Sequence, residues 1–418
     1  MSQATPPKPG DGLTEPASYQ HAALLECIEQ TIAEAGGWLP FDRYMELALY
    51  APGLGYYAAA PGVLGNWGGN SDFVTAPELT PLFAATLARQ IAAVAQAEAL
   101  HTVVEFGAGS GRLACDLLAA LDAAGWLPTQ YAIVEVSAAM RARQQDAVSA
   151  LPAHLRKRIV WWSALHECFD AVVIGNEVLD AMPVKLALRT AQGWVERGIA
   201  QDTDTFALTW AERDTGIAPR ASMQALPVGS VTEVHLAAEA FIATLGEHLG
   251  RGLLLFIDYG FPAHEYDHPQ RSGGTLRCHR AHRAHDDPLW QPGASDITAH
   301  VNFSGIAQAG REAGMDLLGY TSQARFLLNC GLLDLLGDAI AAGQPGAMGT
   351  GGAPQNRAGF AHTAAVQKLL SEAEMGELFK VIALGRGLGQ HAHAPLMGFA
   401  QGDRRAALAQ PDPTQEPA

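Results

Sequence analysis

Apolar residues recur at helical spacing over residues 19–35, at Leu24, Leu25, Ile28 and Ile32, and this predicts a helix. The segment that follows, "GGWLPFDRYMELALYAPGLGYY", predicts a turn, a second short helix and a Gly/Pro-rich loop. From about residue 101 the pattern changes: short apolar runs alternate with helical stretches. In order they read "HTVVEF", "GRLACDLLAALDAAG", "YAIVEV", "AAMRARQQDAVSAL", "RIVWW", "FDAVVIGNEVLD" and, later, "GLLLFIDYG". Such alternation predicts βαβ units around a parallel sheet covered on both faces. Between the fourth of these strands and the helix preceding "GLLLFIDYG", the runs "VKLALRT" and "WVERGIA" flank Ala191-Gln192-Gly193 and predict a β-hairpin. "FLLNCGLLDLLGDAIAAG" predicts a helical stretch, and "MGELFKVIALGRG" a helix end and a last strand.

The expected organisation is a disordered tail over 1–18 and an N-terminal helical cap or lid over 19–100. A mostly parallel α/β core spans 101–183, 231–325 and 376–387, interrupted by a β-hairpin insertion over 184–230. A helical accessory region with a mobile Gly/Pro/Ala-rich loop spans 326–375, and a C-terminal tail 388–418.

At 418 residues, with 48% apolar and 17% charged residues, the chain has the make-up of a globular protein. No uncharged apolar run approaches the roughly 18 residues needed to span a bilayer, so no membrane insertion is expected. The start lacks the features of a secretory signal or a mitochondrial presequence, which points to the cytoplasm. Five cysteines without a CxxC pair argue against a disulfide framework or a thiolate zinc site. A net charge of −16 disfavours nucleic acid and suits a basic partner, though it also serves solubility alone.

The chemistry is concentrated around "VVEFGAGSG" at residues 103–111. A glycine-rich turn between a first strand and its helix lets backbone amides approach a ligand that a Cβ would push away. The glycines are Gly107, Gly109 and Gly111, and Arg112 stands where the dinucleotide fingerprint GxGxxG has its third glycine. A pyrophosphate is therefore not the expected ligand. Glu135 closes the second strand 24 residues after Gly111, where a carboxylate can accept both ribose hydroxyls; an acid there fits S-adenosylmethionine (SAM) and NAD alike. Three strand ends should meet at the carboxyl edge of the sheet: Gly107, then Asn176 with Glu177, then Asp258 with Tyr259. In "GNEVLDAMP", Glu177 and Asp180 are three apart, and a helical turn after the strand would aim both the same way.

"YY" at 56–57, "SDFVTAPELTPLF" at 71–83, "VEFGAGSGRLACDLL" at 104–118, "YAIVEVS" at 131–137, "GNEVLDAMPV" at 175–184 and "GLLLFIDYG" at 252–260 follow one another in order. "GGTLRCHRAH" at 273–282, "SDITAHVNFSGI" at 295–306 and "MGELFKVIALGRG" at 375–387 continue the series. Together they resemble the MidA-type methyltransferases, the family of the mitochondrial complex I assembly arginine methyltransferase and its bacterial relatives. The resemblance covers roughly residues 40–387, with one departure: Ser71 stands where the family usually has Gly. It implies a class I SAM methyltransferase fold (α/β, Rossmann-like, mostly parallel sheet), with SAM as cofactor. It also implies a protein substrate: in the characterised eukaryotic member, an arginine of the quinone-site subunit of NADH dehydrogenase is dimethylated.

With that reading, Glu177 and Asp180 are the expected catalytic pair, holding a guanidinium fork and drawing its charge away from the attacking nitrogen. A second reading has Glu177 bind cofactor and Asp180 cap a helix ahead of Pro183. Expected cofactor contacts are Asp72, Thr75, Glu105, Gly107, Gly109, Gly111, Glu135 and Asn176. Asp72, Phe73 and Thr75 would fold over the cofactor as a lid, while a plain capping turn explains Thr75 and Glu78 equally. Asp258, Tyr259, His282, Asp296 and His300 are expected on the acceptor side. Trp161 or Trp162 could flank adenine, the other being core. "CHRAHRAH" has ligand-type residues, but class I transfer needs no metal and none is expected. Two further functions stay open: an assembly factor that uses SAM only for its fold, and a nicotinamide oxidoreductase, which the glycine spacing disfavours.

Overall fold

The computed structural model of the protein describes residues 15–58, 75–280, 283–342, 355–389 and 394–409. Residues 1–14, 59–74 with Asp72 and Phe73, 281–282 with His282, 343–354, 390–393 and 410–418 lie outside them. The chain begins with α1 (Glu15–Glu34), β1 (Leu39–Pro40), α2 (Phe41–Tyr50), α3 (Ala76–Leu79) and α4 (Pro81–Ala97). The repeating part is β2 (Thr102–Phe106), α5 (Arg112–Ala123), β3 (Gln130–Val134), α6 (Ala138–Ser149), α7 (Ala153–Arg156), β4 (Ile159–Trp162) and β5 (Phe169–Asn176). Then come β6 (Lys185–Thr190), β7 (Gly193–Gln201), β8 (Leu208–Arg213), β9 (Val231–Val234), α8 (Leu236–His248), β10 (Leu249–Phe261) and α9 (Ala263–Tyr266). The remainder is β11 (Arg277–Arg280), β12 (Arg283–His285), β13 (Asp296–Thr298), β14 (Val301–Asn302), α10 (Phe303–Glu312), β15 (Asp316–Ser322), α11 (Gln323–Asn329), α12 (Leu332–Ala342), α13 (Gln355–Leu370) and β16 (Phe379–Arg386).

The main sheet runs β15-β16-β10-β5-β2-β3-β4, and β14 adds to the end of β10. Strands β10, β5, β2, β3 and β4 are parallel, while β16 lies antiparallel between β10 and β15. The chain steps outward from β2 to β3 and β4, then returns to the other side of β2 as β5. The switch in strand order therefore falls between β2 and β5, where open α/β sheets leave a crevice at the carboxyl ends of the strands. Alternate residues of the central strands feed two cores. Val103, Val172, Leu253 and Val381 pack with α4, α5 and α11–α13, and Val104, Val173, Leu254 and Ile382 with α8 and α10. This is the two-sided burial expected of continuous apolar strands.

A third core holds the N-terminal cap to the rest: Leu24, Ile28, Phe41, Tyr44 and Leu49 pack with Leu186, Ile199 and Ile297. The strands β6 and β7 pair antiparallel with Thr190 opposite Gly193, and they belong to a larger sheet, β1-β7-β6-β9 with β8 on β7. The cap and the inserted strands are thus joined through β1.

Two local expectations differ from the structure. The stretch "FLLNCGLLDLLGDAIAAG" is two helices, broken at Gly331, whose φ of +80° is left-handed and ends α11. After β5 no helix forms at residues 177–180. The amides of residues 178–180 go to a side chain instead of to preceding carbonyls, as described below.

Candidate cofactor and acceptor site

The turn after β2 is left-handed at all three glycines, with φ of +64° at Gly107, +51° at Gly109 and +81° at Gly111. Gly107 is irreplaceable on two counts: besides its φ, a Cβ there would lie 2.6 Å from Val178 Cγ2. The backbone of this turn is therefore seated directly against the loop that follows β5. On its outer side Ser110 donates to the Glu78 carboxylate of α3, which ties the turn to the segment preceding α4.

From the other direction a chain of side chains reaches the same turn. The Glu135 carboxylate accepts the Ser137 N–H at 2.8 Å and the Gln144 amide at 2.9 Å. Gln144, wholly buried, also donates to Gly109 O at 3.3 Å and accepts from the Trp161 indole at 3.0 Å. Glu135 is thereby fixed relative to the glycines by one amide. A depression of about 210 Å³ opens beside it, lined by Glu135, Val136, Ala138, Arg141 and Ser163. Val136 is 85% exposed there, an apolar side chain in water next to a carboxylate.

The loop after β5 is organised by Asp258 on β10. Its Oδ2 accepts the N–H groups of Val178, Leu179 and Asp180 at 3.1, 2.8 and 3.3 Å, and its Oδ1 that of Tyr259 at 2.9 Å. Glu177 enters this loop with a φ of +55°, a sparsely populated conformation for a residue with a side chain, and its N–H donates to Ile257 O at 2.9 Å. The loop is thus held non-helical, and it brings Glu177, half-buried, and Asp180, buried, close enough for their charges to act on one another. Burial first, then the charge of Asp180, pushes the Glu177 carboxyl up to about 8, although the Asn176 amide, donating at 2.9 Å, holds it back. Burial also lifts Asp180 to about 6 against a hydrogen bond with Tyr259. Two buried atoms in this loop, Asn176 Oδ1 and Asp180 Oδ1, have no hydrogen-bond partner. A buried polar atom left unpaired costs on the order of 1–3 kcal/mol, so such atoms commonly mark where a ligand supplies the partner.

Tyrosines from three places close this space. The Tyr57 hydroxyl donates to Asp296 Oδ1 at 2.7 Å, and that of Tyr50 to Ala181 O at 2.9 Å. Their rings stack with centroids 5.5 Å apart and 22° between planes. Tyr259 lies within reach of the Asp180 charge, and its ring meets His300 edge-on at 5.1 Å. Burial pushes His300 down to about 3, which keeps it neutral. Outside Tyr50 an open groove of about 410 Å³ is lined by Asp42, Arg43, Glu46, Pro183 and Ala237.

With this geometry in view, the comparisons are specific. Residues 82–321 match the family described as "Putative S-adenosyl-L-methionine-dependent methyltransferase". The chain belongs to this family. The methyltransferase is 49% identical to a protein of Burkholderia thailandensis solved with S-adenosyl-homocysteine bound, with a TM-score of 0.85 over 97% of this chain and all of that one. Among curated proteins it is 28% identical to the protein arginine methyltransferase NDUFAF7, mitochondrial, of Xenopus tropicalis, over 74% of this chain and 76% of the relative. The Danio rerio protein of the same name is 25% identical over 84% of each. The MidA-type resemblance, the class I fold and the SAM cofactor expected from the motifs therefore hold. The glycine cradle and the unpaired Asn176 Oδ1 fit that cofactor.

The methyltransferase distributes the residues expected from sequence unevenly. Gly107, Gly109, Gly111, Asn176, Glu177 and Asp180 meet at the switch point, with Glu135 linked to them through Gln144. Glu105 is 1% exposed and accepts the Tyr131 hydroxyl at 2.7 Å beneath the turn, which accounts for its buried carboxylate without a ligand. Thr75 precedes α3 and makes no side-chain cap. Asp258 is engaged with backbone amides through both oxygens, and its charge also bears on Asp180 and Glu177. Asp296, Tyr259 and His300 lie around that space, and Trp162 is core while Trp161 serves Gln144. Sequence reading missed Gln144, Tyr50 and Tyr57. Only the "YY" pair at 56–57 gave any sign of them. Among the described residues no group of three His, Cys, Asp or Glu side chains is arranged to hold a metal, and Cys278 is paired with His285 across β11 and β12. No helix of the described residues is long and apolar enough to cross a membrane.

Proposed function

We propose that this methyltransferase acts on an arginine side chain of a protein, with Glu177 and Asp180 as the residues that hold the guanidinium. The observation that carries the reading is the cluster of Glu177, Asp180 and Asp296, whose charges act on one another and on Tyr50, Tyr57 and Tyr259 at the switch point beside the glycine turn. Buried like charges are unfavourable alone and become favourable around a cation. A planar guanidinium offers five N–H donors to such acceptors and an extended face to tyrosine rings. The names of the curated relatives support the same acceptor.

SAM supplies the electrophilic methyl carbon. The turn at Gly107, Gly109 and Gly111 would admit its amino-acid portion, Glu135 its ribose hydroxyls, Val136 its adenine face and Asn176 Oδ1 a donor. Glu177 and Asp180 would take the guanidinium fork bidentately, concentrate its charge on the nitrogens they bind, and leave the third nitrogen's lone pair free to attack. The methylated guanidinium must shed one proton to return to a single charge; a carboxylate raised to about 8 is a better proton acceptor than an ordinary one, so Glu177 is suited to take it from the nitrogen it binds. The family resemblance supplies a first acceptor to test, the quinone-site subunit of NADH dehydrogenase.

The test is mass spectrometry of that subunit from cells with and without the protein. An arginine dimethyl mark should vanish on deletion and return with the wild type but not with Glu177→Gln, whose affinity for S-adenosyl-homocysteine should be nearly unchanged. Turnover retained by Glu177→Gln would remove the assignment of the pair; a subunit unmodified in both cells would remove that acceptor.

A further inference from the structure

Helix α6 buries two of its side chains, Gln144 and Val148. Packing alone would be served by an apolar residue at the first of these, because a buried amide is unfavourable unless its donors and acceptor are met. Gln144 has all of them met. Its Nε2 donates to Glu135 Oε2 at 2.9 Å and to Gly109 O at 3.3 Å, and its Oε1 accepts the Trp161 indole N–H at 3.0 Å. Chemistry fixes which way the amide points: an indole only donates, while a carboxylate and a carbonyl only accept. The end of β3, the glycine turn after β2 and the end of β4 therefore meet on one side chain. The helix also sits close against the turn, since a Cβ on Gly111 would lie 3.3 Å from Gln144 Cα. Glu135 in turn has one protein donor on each oxygen, the Ser137 N–H on Oε1 and Gln144 on Oε2. A carboxylate has about four acceptor positions, so each oxygen keeps room for a further donor, and two neighbouring hydroxyls match that remainder.

We propose that Gln144 is a positioning residue of the cofactor site: it sets the plane of the Glu135 carboxylate and its distance from the glycine turn, with Trp161 as the anchor of its amide. The inference deepens the reading of Glu135 as the acid that takes the ribose hydroxyls, and it rests on that reading. The terminal torsion of a glutamate is broad, so a carboxylate held by the Ser137 N–H alone can turn, and the two oxygens then no longer face a diol together. The second bond, from Gln144, removes that freedom. Its other bond, to Gly109 O, ties the same carboxylate to the backbone that would admit the amino-acid portion of the cofactor. The two ends of one ligand are thus met by groups whose spacing a single amide determines. Preference for a ribose over a sugar without hydroxyls becomes a property of Gln144, exerted through Glu135.

The experiment is titration calorimetry of the full chain with two ligands, S-adenosyl-homocysteine and its analogue lacking both ribose hydroxyls, on the wild type, Gln144→Met and Trp161→Phe. The wild type should prefer S-adenosyl-homocysteine by about 10-fold or more, the worth of hydrogen bonds to a charged acceptor. Gln144→Met, which fills the same space without donors, should bind S-adenosyl-homocysteine about 10-fold more weakly and the analogue only about 2-fold more weakly, so that the preference collapses. Trp161→Phe keeps both amide donors and frees the amide to swing; it should reduce the preference about 3-fold. Side-chain packing alone would not distinguish the two ligands. Equal losses for both ligands in Gln144→Met, or no loss for either, would overturn the positioning role while leaving Glu135 as the ribose acid. Equal affinity of the wild type for the two ligands would overturn the ribose reading, and this inference with it. Should Gln144→Met fold poorly, Trp161→Phe decides alone: an unchanged preference rejects the proposal.

Discussion

Glu177 combines a left-handed backbone, an enclosed carboxyl and an acidic neighbour, and each of these opposes folding in the ionised state. The sign of the pH effect follows. A carboxyl whose folded pKa is about 8 binds its proton more tightly in the native than in the unfolded chain, where an ordinary Glu titrates near 4.5. Its contribution to stability is complete below about 4.5 and is lost as pH rises to about 8. Glu177→Gln should therefore melt at nearly the wild-type temperature at pH 4.5 and higher than wild type at pH 8.5, the gap being on the order of a few kcal/mol without a bound cation. A gap that does not vary with pH would mean the carboxyl is not held protonated by burial. Most of this was invisible in the sequence. The three-residue spacing of Glu177 and Asp180 suggested convergence through a helical turn. Convergence comes instead from Asp258, 78–80 residues away in sequence, whose bonds to backbone amides leave no local pattern.

At the scale of elements, the sheet was legible because its strands are buried on both faces and read as continuous apolar runs. The placing of Gly107 and Glu135 after the ends of β2 and β3 was legible because their spacing follows from one βα unit. The break between α11 and α12 depended on an isolated glycine, a weaker sign that the surrounding apolar periodicity outweighed. The contact of the turn after β2 with the loop after β5 makes a sharp prediction. Gly107→Ala should weaken S-adenosyl-homocysteine binding about tenfold or more, since a left-handed alanine costs roughly 1–2 kcal/mol and its Cβ meets Val178. Adding Val178→Ala should recover the steric part but not the backbone part. Calorimetry on the two variants separates them, and full recovery would show that φ at this position carries no cost.

Across the whole molecule, the acceptor space we propose is a joint of three units: the cap gives Tyr50 and Tyr57, the main sheet gives the loop after β5 and Tyr259, and the sheet β12-β11-β13 gives Asp296. The turn that meets the cofactor in our reading belongs to the main sheet alone. Gly198 on β7 lies where a Cβ would come within 2.3 Å of Leu39 O on β1 and against the Trp38 ring, so Gly198→Val should displace the cap at a cost of about 1–3 kcal/mol in stability. N-acetyl-arginine N-methylamide should then bind more weakly while S-adenosyl-homocysteine binds as before; equal losses for both would mean the cap does not serve the acceptor side separately.

The bonds from Asp258 also set an order of events during synthesis. The loop bearing Glu177 and Asp180 leaves the ribosome about 80 residues ahead of the aspartate that ties it. At about 5–20 residues per second that is roughly 4–16 s in which both acids ride on an untied segment. Strand β16, which flanks β10 on its other side, ends only at Arg386. A nascent chain can thus complete β2, β3 and the glycine turn well before the loop bearing Glu177 and Asp180 is tied, and the sheet itself closes only with its last strand.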